Sequence, residues 1–323
     1  MILKTSIFFL VVVCTATAIF YVQRLDLTIF KNLPDDNMED SSRSYLERLT
    51  YLERQERVSQ VCRLYKLPIN YRINDTTLLE HILVDNRHKL LYCYVPKVAC
   101  TNWKRVFMVL SGGARAPDAA RIPADVVHKP GTLDRLSDYP AAAASEMLST
   151  YTKFLFVRHP FERLLSAYRN KLEQRHDSSR YFQSRFGRRI VRRYRANATE
   201  RSLRNGDDVT FPEFAAFVAD TRDKVFNEHW APIDQLCRPC AINYDFIGKH
   251  ESLFPDSDYL LKHMVGVADV KFPKGPDSST ATQLNKYFTS LDHNTILQLY
   301  SIFESDFKLF DYNLQNILGY EVG

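Results

Sequence analysis

Two stretches of the chain each pass from a short apolar run into a helical pattern. The first, residues 90–111, begins with the apolar run Leu90–Val95 and ends in apolar positions at helical spacing: Trp103, Val106, Phe107 and Leu110. Positions i, i+3, i+4 and i+7 form one buried face of an amphipathic helix. This pattern predicts a strand, a loop and a helix, with Thr101 or Asn102 as the N-cap residue.

The second stretch, residues 153–171, repeats this order. Phe154–Val157 is a compact apolar run typical of a buried strand, and Pro160 suits the first position of a helix. The predicted core face of that helix consists of Phe161, Leu164, Leu165 and Tyr168. Arg158 follows the strand directly, at the end where open α/β sheets bind their ligands.

Weaker patterns predict the remaining scaffold. A helix should enter at Pro212 and bury Phe214, Phe217 and Val218. The aromatic tail 301–313 should pack as a closing element. Residues 35–60 are polar, with leucines spaced three apart, which fits either a helical stem or a disordered linker.

The N-terminus carries the longest uncharged segment. Thr5–Val22 comprises 18 residues, about the minimum that spans a bilayer as a helix. We therefore predict a cytoplasmic tail at 1–4, a transmembrane signal anchor at 5–22, a stem at 23–60 and a lumenal domain at 61–323. A signal peptide cleaved after Ala18 is the alternative, but the apolar run continues through Val22 and favours an uncleaved anchor.

Composition fits one large globular domain in the secretory pathway. The chain has 323 residues, 45% apolar and 25% charged, with a formal charge of +5. Asn74 and Asn197 begin N-glycosylation triplets. Five of the six cysteines follow the anchor, so at least one is unpaired within the chain. The pair Cys237 and Cys240 could be half of a zinc site, but no second C-x-x-C is present, and an oxidising lumen favours a disulfide.

The loops of both units are suited to anions. A helix start offers unpaired N–H groups and a positive dipole end, to which Lys97 adds a full charge. The loop has no glycine and is not a Walker A loop, which needs the pattern G-x-x-x-x-G-K-[ST]. In the second unit, Arg158 and Ser166 supply a guanidinium and a hydroxyl, a suitable pair for a phosphomonoester.

Together these strings resemble the Golgi carbohydrate sulfotransferases. The matching strings are YCYVPKVACTNWKR, FLFVR-PFERL-SAYRNK, FNEHW, C-x-P-C and YD-IGK-E-L, in order between Cys62 and Tyr312. The sequence is most similar to the chondroitin and dermatan 4-O-sulfotransferases, whose framework is shared by enzymes acting on other N-acetylgalactosamine termini and on glucuronate. It departs from the family at His159, where a glutamate is expected.

The resemblance implies an α/β fold of the P-loop-like sulfotransferase type, with a central, mainly parallel sheet behind one N-terminal transmembrane helix. It implies 3′-phosphoadenosine 5′-phosphosulfate (PAPS) as the donor. The 5′-phosphosulfate loop would be Pro96, Lys97, Val98, Ala99, Cys100, Thr101 and Asn102. The 3′-phosphate element would be Arg158, His159, Pro160, Phe161, Glu162, Arg163, Leu164, Leu165 and Ser166.

Sulfuryl transfer to a sugar hydroxyl needs a base for the hydroxyl proton and a cation for the leaving phosphate oxygen. Lys97 is the candidate cation, and no metal is required in principle. His128 is the preferred base, because in sulfotransferases that use histidine this residue lies between the two nucleotide elements in chain order. His229 and its neighbour Glu228 are the alternatives.

An arginine-rich stretch supplies a candidate acceptor surface. Residues 185–204 contain eight arginines, and Ile190, Val191 and Tyr194 could form the apolar stripe of a helix. Behind a membrane anchor, a glycosaminoglycan is a better partner than nucleic acid. The candidate substrate-binding residues are Arg188, Arg189, Arg192 and Arg193, although a solvated basic face would look the same.

The sequence therefore predicts a Golgi membrane enzyme that sulfates O-4 of N-acetylgalactosamine in chondroitin or dermatan, with its catalytic domain in the lumen. Transfer to another glycan terminus is the alternative within the family. A secretory kinase is disfavoured because no metal-binding carboxylate motif accompanies the loop. A non-enzymatic glycosaminoglycan-binding protein remains a third interpretation, and an oligomer is compatible with the sequence.

Overall fold

The computed structural model describes residues 35–70, 75–113, 119–220, 226–275 and 280–315. The chain divides into two compact units, 1–53 and 54–323. Within the described ranges, no helix is both long enough and apolar enough to cross a bilayer. The predicted tail and anchor at 1–22 and the predicted glycosylation site at Asn74 lie outside these ranges.

A four-stranded mixed sheet forms the centre of the second unit, in the order β1-β2-β3-β4. The strands are β1 Ile82–Asp85, β2 Leu90–Cys93, β3 Thr152–Val157 and β4 Phe246–Lys249. β1 is antiparallel to β2, whereas β2, β3 and β4 run parallel to one another. The carboxyl ends of the three parallel strands therefore meet at one edge, where Lys97, Arg158 and His250 follow.

Helices connect and cover these strands. Before β2 lie α1 Asp35–Leu64 and α2 Thr76–Glu80. Between β2 and β3 lie α3 Cys100–Leu110, α4 Ala124–His128 and α5 Ala141–Thr150. Between β3 and β4 lie α6 Pro160–Tyr168, α7 Asp177–Phe182, α8 Arg188–Tyr194, α9 Glu200–Asn205, α10 Phe211–Ala219, α11 Ile233–Cys237 and α12 Pro239–Ile242. After β4 come α13 Leu253–Tyr259, α14 Thr280–Phe288 and α15 His293–Leu309.

Aromatic side chains hold α3 against the sheet. Trp103 is buried and packs its ring 5.0 Å from that of Phe154 and 4.9 Å from that of Phe156. Tyr92 stacks on Phe154 at 4.8 Å. Burying rings of this size supplies much of the apolar area that fixes an element in place. The predicted core face of α3 is confirmed, since its four apolar positions are all buried.

A second apolar cluster surrounds α6. Its predicted core residues are buried, and the ring of Phe161 stacks on that of Phe288 at 4.7 Å. The helix predicted around Pro212 is α10. The aromatic tail forms the second half of α15, which closes this cluster through Phe303 and Phe307. Phe214 and Val218 are buried as predicted, whereas Phe217 is only partly buried.

The region predicted as a stem is helical where it is described. α1 runs without a break through Asp35–Leu64, so the alternative of a disordered linker is wrong for residues 35–60. The compact second unit begins at Arg54, within α1. Arg54 pairs with the buried Asp256 at 2.6 Å, which in turn accepts the N–H of Lys249.

Two disulfides join distant parts of the second unit. Cys62 pairs with Cys240 and Cys93 with Cys237, so both cysteines of the C-x-x-C pair serve in disulfides, as predicted. Cys100 is the free cysteine of the described residues. The bond from Cys93 links the end of β2 to the end of α11, and so fixes the strand that leads into the Lys97 loop.

Candidate active site

The loop between β2 and α3 has an unusual backbone. Lys97 and Ala99 both adopt left-handed conformations, with φ of 73° and 53°. Such a conformation costs a residue with a side chain roughly 1–2 kcal/mol, and strain of this kind concentrates at ligand-binding positions. The N-cap prediction of Thr101 or Asn102 is wrong: α3 begins at Cys100, and Ala99 is its N-cap without a side-chain hydrogen bond.

The start of α3 therefore presents unpaired donors. The main-chain N–H groups of Ala99, Cys100 and Thr101 have no acceptor in the part of the chain that the structure describes. They cannot be capped by Asn102, because its side chain bonds the carbonyl of Pro273 and the guanidinium of Arg105. Three open N–H groups at the positive end of a helix form a binding site for an anion.

Lys97 lies in this loop without a partner. Its ammonium group has no hydrogen bond or ion pair with any described residue. Burial lowers the pKa of Lys97 to about 8, and the nearby positive charges of Lys171, Arg158 and Arg163 contribute in the same direction. A partly buried cation among other cations is electrostatically unfavourable unless an anion joins them. This arrangement is suited to a phosphate or phosphosulfate.

Arg158 extends the anion site along the edge of the sheet. Its side chain is 3% exposed; it donates to Glu162 at 3.2 Å and to the carbonyl of Lys97 at 3.3 Å. Burial lowers the pKa of Arg158, although the group remains charged at any physiological pH. Arg158 thus joins the two predicted nucleotide elements directly.

A cleft of about 880 Å³ opens beside these residues. Its polar lining includes Thr101, Asn102, Arg105, Arg158, Glu162 and His250. A volume of this order lies within the 300–1,000 Å³ of typical cofactor sites. Because the lining comes from the residues that follow β2, β3 and β4, the cleft lies at the carboxyl edge of the parallel strands, where the sequence analysis expects it.

The remaining members of the second nucleotide element point in different directions. Ser166 is half-buried on α6, and its hydroxyl has no hydrogen bond to a described residue. His159 is the N-cap of α6: its Nδ1 accepts the N–H of Phe161, so Nε2 carries the proton and donates to the carbonyl of Asn313. Both ring nitrogens of His159 are therefore occupied by the main chain.

Arg163 is fully buried and faces away from solvent. Its three nitrogens each donate to a main-chain carbonyl: those of Pro96, Ala231 and Glu228. Burial lowers the pKa of Arg163 to about 10. The side chain thereby connects the Lys97 loop with the FNEHW segment, which sequence reasoning assigned to the site only through His229 and Glu228.

The FNEHW segment places a histidine near the Lys97 loop. The Oδ1 atom of Asn227 accepts the main-chain N–H of His229 at 3.1 Å and its Nδ1 at 2.8 Å. Since Nδ1 must carry the proton of this bond, Nε2 of the neutral ring keeps its lone pair. Nε2 has no partner among the described residues. Burial lowers the pKa of His229 to about 2, helped by the charges of Lys171 and Lys97.

His128 lies at the end of α4 and contacts α3. Its Nδ1 is 3.3 Å from the ammonium of Lys104, and its Nε2 is 3.0 Å from the hydroxyl of Thr101. An ammonium can only donate, so Nδ1 accepts and Nε2 carries the proton of the neutral ring. Burial and the charge of Lys104 lower the pKa of His128 to about 4.

Several residues of the site were not anticipated from the sequence. Lys171 lies with its ammonium 4.6 Å from the ring centre of Phe182, and that ring packs edge-on against His229. His81 was not anticipated either: its Nε2 lies 3.7 Å from the carboxylate of Glu228, an alternative base named from the sequence, which also lies 3.8 Å from Nδ1 of His229. Only Asn227, two residues before His229, had a local signal, because asparagine commonly hydrogen-bonds a main-chain group two residues on.

The arginine-rich stretch is partly solvent-facing and partly structural. Arg188 and Arg192 are exposed one turn apart on α8 and have no partner among the described residues. Arg193, in contrast, pairs with Asp220 at 2.7 Å, and Arg189 lies over the ring of Phe217. The apolar stripe predicted for this helix is confirmed by its buried residues Ile190 and Val191.

α8 is connected to the FNEHW segment. The chain immediately before it packs on that segment, with Phe182 against His229 at 5.0 Å and Phe186 against Trp230 at 5.0 Å. Gly187, which precedes α8, touches Gly206 so closely that a Cβ atom would lie 2.0 Å from the Gly206 carbonyl oxygen. The exposed arginines are therefore held in a fixed relation to the residues around His229.

Two further features complete the description. Asn197 is exposed in the turn between α8 and α9, and the hydroxyl of Thr199 in its triplet accepts the N–H of Ser202. Across the described ranges, no group of three or more His, Cys, Asp or Glu side chains is arranged to hold a metal ion. The functional groups brought together are thus cations, open N–H donors, neutral histidines and the carboxylates of Glu162 and Glu228.

Comparison with known proteins accounts for this arrangement. The sequence model of the Sulfotransferase family matches residues 80–313. Carbohydrate sulfotransferase 11 of Rattus norvegicus is 43% identical over 82% of this chain and 76% of its own length. Carbohydrate sulfotransferase 14 of Danio rerio is 42% identical over 74% of this chain and 64% of its own length. Carbohydrate sulfotransferase 8 of Mus musculus is 38% identical over 82% of this chain and 64% of its own length.

No solved structure gives a significant match. The family model covers the Lys97 loop, the Arg158 element and the FNEHW segment. The chain therefore belongs to the sulfotransferase family and is an enzyme that transfers a sulfuryl group to a sugar.

Proposed function

We propose that this enzyme transfers the sulfuryl group of PAPS to O-4 of N-acetylgalactosamine in chondroitin or dermatan. The observation that supports the donor assignment best is the unpaired Lys97 in a strained loop, beside three open N–H groups. The acceptor assignment rests on the motif resemblance and on the exposed arginines of α8. Sulfuryl transfer to a sugar is assigned from the family, whereas the proposed binding positions are argued from the residues of this chain.

The donor would lie along the edge of the sheet. The open N–H groups at the start of α3 and the Lys97 ammonium would hold the 5′-phosphosulfate, and Arg158 with Ser166 would hold the 3′-phosphate. In the reaction the sulfur–oxygen bond to the phosphate breaks as a bond from sulfur to the sugar oxygen forms. Lys97 would neutralise the charge that develops on the released phosphate oxygen.

The sugar hydroxyl must lose its proton in the same reaction. One contact argues against His128 as the base: its neutral ring has no free lone pair, because Lys104 occupies Nδ1 and Nε2 carries the proton. His229 keeps an unshared pair on Nε2 and lies near Lys97. We therefore propose His229 as the general base, and a role for His128 in fixing Lys104 and Thr101 beside the loop.

The proposed place of action is the Golgi lumen. Residues 5–22 would anchor the chain as a single-pass type II membrane protein, and Asn74 and Asn197 would carry N-glycans. Two disulfides in the second unit suit an oxidising compartment.

A donor and acceptor panel tests the proposal. The purified full-length chain is incubated with radiolabelled PAPS and with desulfated chondroitin, desulfated dermatan, N-acetylgalactosamine-terminated glycans and glucuronate-terminated glycans. Disaccharide analysis should find 4-O-sulfated N-acetylgalactosamine in the two polymers, and Lys97→Ala should remove the product. Label appearing only in the short glycans would overturn the acceptor assignment. Failure to bind 3′-phosphoadenosine 5′-phosphate would overturn the donor site.

A further inference from the structure

The segment 227–234, here called the His229 segment, has little regular structure of its own. Its first half is one turn, in which the N–H groups of Trp230 and Ala231 bond the carbonyl of Asn227. Its second half leads into α11, a helix of five residues. A short irregular segment cannot hold a catalytic side chain in place unless the surrounding structure fixes its peptide groups.

One buried charge holds the carbonyls of this segment. Arg163, on α6, donates from Nη1 to the carbonyl of Ala231 and from Nη2 to that of Glu228. Its Nε donates to Pro96 at 2.9 Å, at the start of the Lys97 loop. The planar guanidinium thus fixes the distance between the two segments, because its donors have a rigid geometry.

A buried carboxyl group holds the N–H groups. Asp306, on α15, accepts the N–H of Ile233 at 2.7 Å and that of Asp234 at 2.8 Å, one on each carboxylate oxygen. Arg163 and Asp306 are each only 1% exposed. Unlike Arg163, Asp306 has no hydrogen bond or ion pair with the Lys97 loop in the described structure.

Placing two ionisable groups in the interior is costly, and burial raises the pKa of Asp306 to about 7. A buried ion pair replaced by apolar residues of similar volume often leaves a protein as stable or more stable. Here both groups bind the main chain of a single segment, from its carbonyl side and from its N–H side. The arrangement therefore defines the position of that segment more than it contributes to overall stability.

We propose that Arg163 and Asp306 are positioning residues that hold the His229 segment in register with the Lys97 loop. Arg163 fixes the position of both the Lys97 loop and the His229 segment, whereas Asp306 fixes the position of the His229 segment alone. This inference rests on the proposed function, in which His229 takes the proton of the acceptor hydroxyl.

The asymmetry between the two residues gives the test. Asp306→Asn replaces one accepting oxygen by an NH₂ group that faces an N–H, so one of the two bonds is lost. In the full-length chain we expect kcat to fall at least tenfold, with the affinity for 3′-phosphoadenosine 5′-phosphate within twofold of wild type. Arg163→Lys cannot reproduce three bonds, and should lower kcat at least tenfold and also weaken that affinity at least fivefold.

Asp85→Asn is the matched control. Asp85 is also 1% exposed, accepts a main-chain N–H from Arg87 and pairs with His88, but it lies at the end of β1 away from the loop. Its loss should lower the melting temperature without changing kcat per folded molecule. If Asp306→Asn behaves like this control, or weakens nucleotide binding as much as Arg163→Lys does, the positioning role is wrong.

Two further measurements keep the outcome decisive. Should Asp306→Asn fail to fold, Asp306→Glu takes its place, since it keeps both oxygens but shifts them by one methylene. His229→Ala is assayed alongside: if it keeps wild-type kcat, the proposed base is wrong. In that case the ¹⁵N shifts of the His229 ring test the positioning alone. They should change in Asp306→Asn and not in Asp85→Asn, and unchanged shifts in both would overturn it.

Discussion

The Oδ1 atom of Asn227 accepts two hydrogen bonds from His229, one from its main-chain N–H and one from Nδ1 of its ring. The main-chain donor decides which end of the amide faces His229, because an NH₂ group could not accept that bond. The ring donor then decides the tautomer. One side chain thus leaves Nε2 of His229 as the basic nitrogen.

Replacing Asn227 should therefore impair the base without touching the donor site. Asn227→Ala removes the acceptor for Nδ1, so the neutral ring loses its tautomer preference, and kcat should fall at least tenfold, equivalent to about 1.4 kcal/mol. Asn227→Asp keeps an acceptor and should retain more activity than the alanine variant. Steady-state kinetics check both, and equal loss in the two variants would contradict a tautomer role.

The choice between the two histidines gives a direct comparison. His229→Ala should lower kcat roughly a hundredfold or more, the usual contribution of a general base, while nucleotide affinity is maintained. His229→Gln should be no better, because an amide cannot take the proton. His128→Ala should cost less than tenfold. The reverse ranking, with both variants folded, would return the base to His128, as the sequence analysis predicts.

Features determined by neighbouring residues could be predicted from the sequence, whereas features determined by tertiary contacts could not. The two strand–loop–helix units could be predicted because the spacing of apolar residues within a short window indicates a strand or a helix. The same spacing predicted the core faces of α3 and α6. The N-cap of α3 could not, because Ala99 holds a left-handed conformation that no side-chain preference signals. It depends on the packed surroundings of the loop.

Tertiary contacts explain the other differences. Arg163 lies on α6, five residues after Arg158, and the sequence places both in one phosphate element. Only the fold shows that its guanidinium meets carbonyls from two remote segments. The preference for His128 likewise rested on chain order, whereas the usable lone pair is decided by the contact with Lys104, 24 residues earlier.

The pH dependence should follow Lys97. Its pKa is about 8 in the folded enzyme, and only the cationic form attracts the anionic donor. Because kcat/KM for the donor reports the free enzyme, it should be maximal below pH 8 and fall as pH rises through about 8. Lys97→Arg should move this fall beyond the assay range, since arginine stays charged.

The acid side of the same profile tests the base. Burial and neighbouring cations lower the pKa of His229 to about 2, so the ring stays neutral as pH drops through 6.5. No fall in kcat/KM is therefore expected between pH 7 and pH 5 from this group. A fall with a midpoint near 6.5 that disappears in His229→Ala would contradict the neutral, desolvated ring.

The exposed arginines of α8 should act on polymeric acceptors and not on the donor. Arg188→Ala with Arg192→Ala removes two unpaired charges, so KM for chondroitin should rise severalfold and depend less on salt, because screened attractions are lost. Donor KM should stay within twofold. Arg57→Ala with Arg63→Ala, on α1, removes the same charge elsewhere and should change neither. Both variants are assayed from 50 to 300 mM salt on the polymer and on a short neutral acceptor. Equal changes in KM for the two acceptors would mean that the arginines of α8 have a structural role and do not bind the polymer.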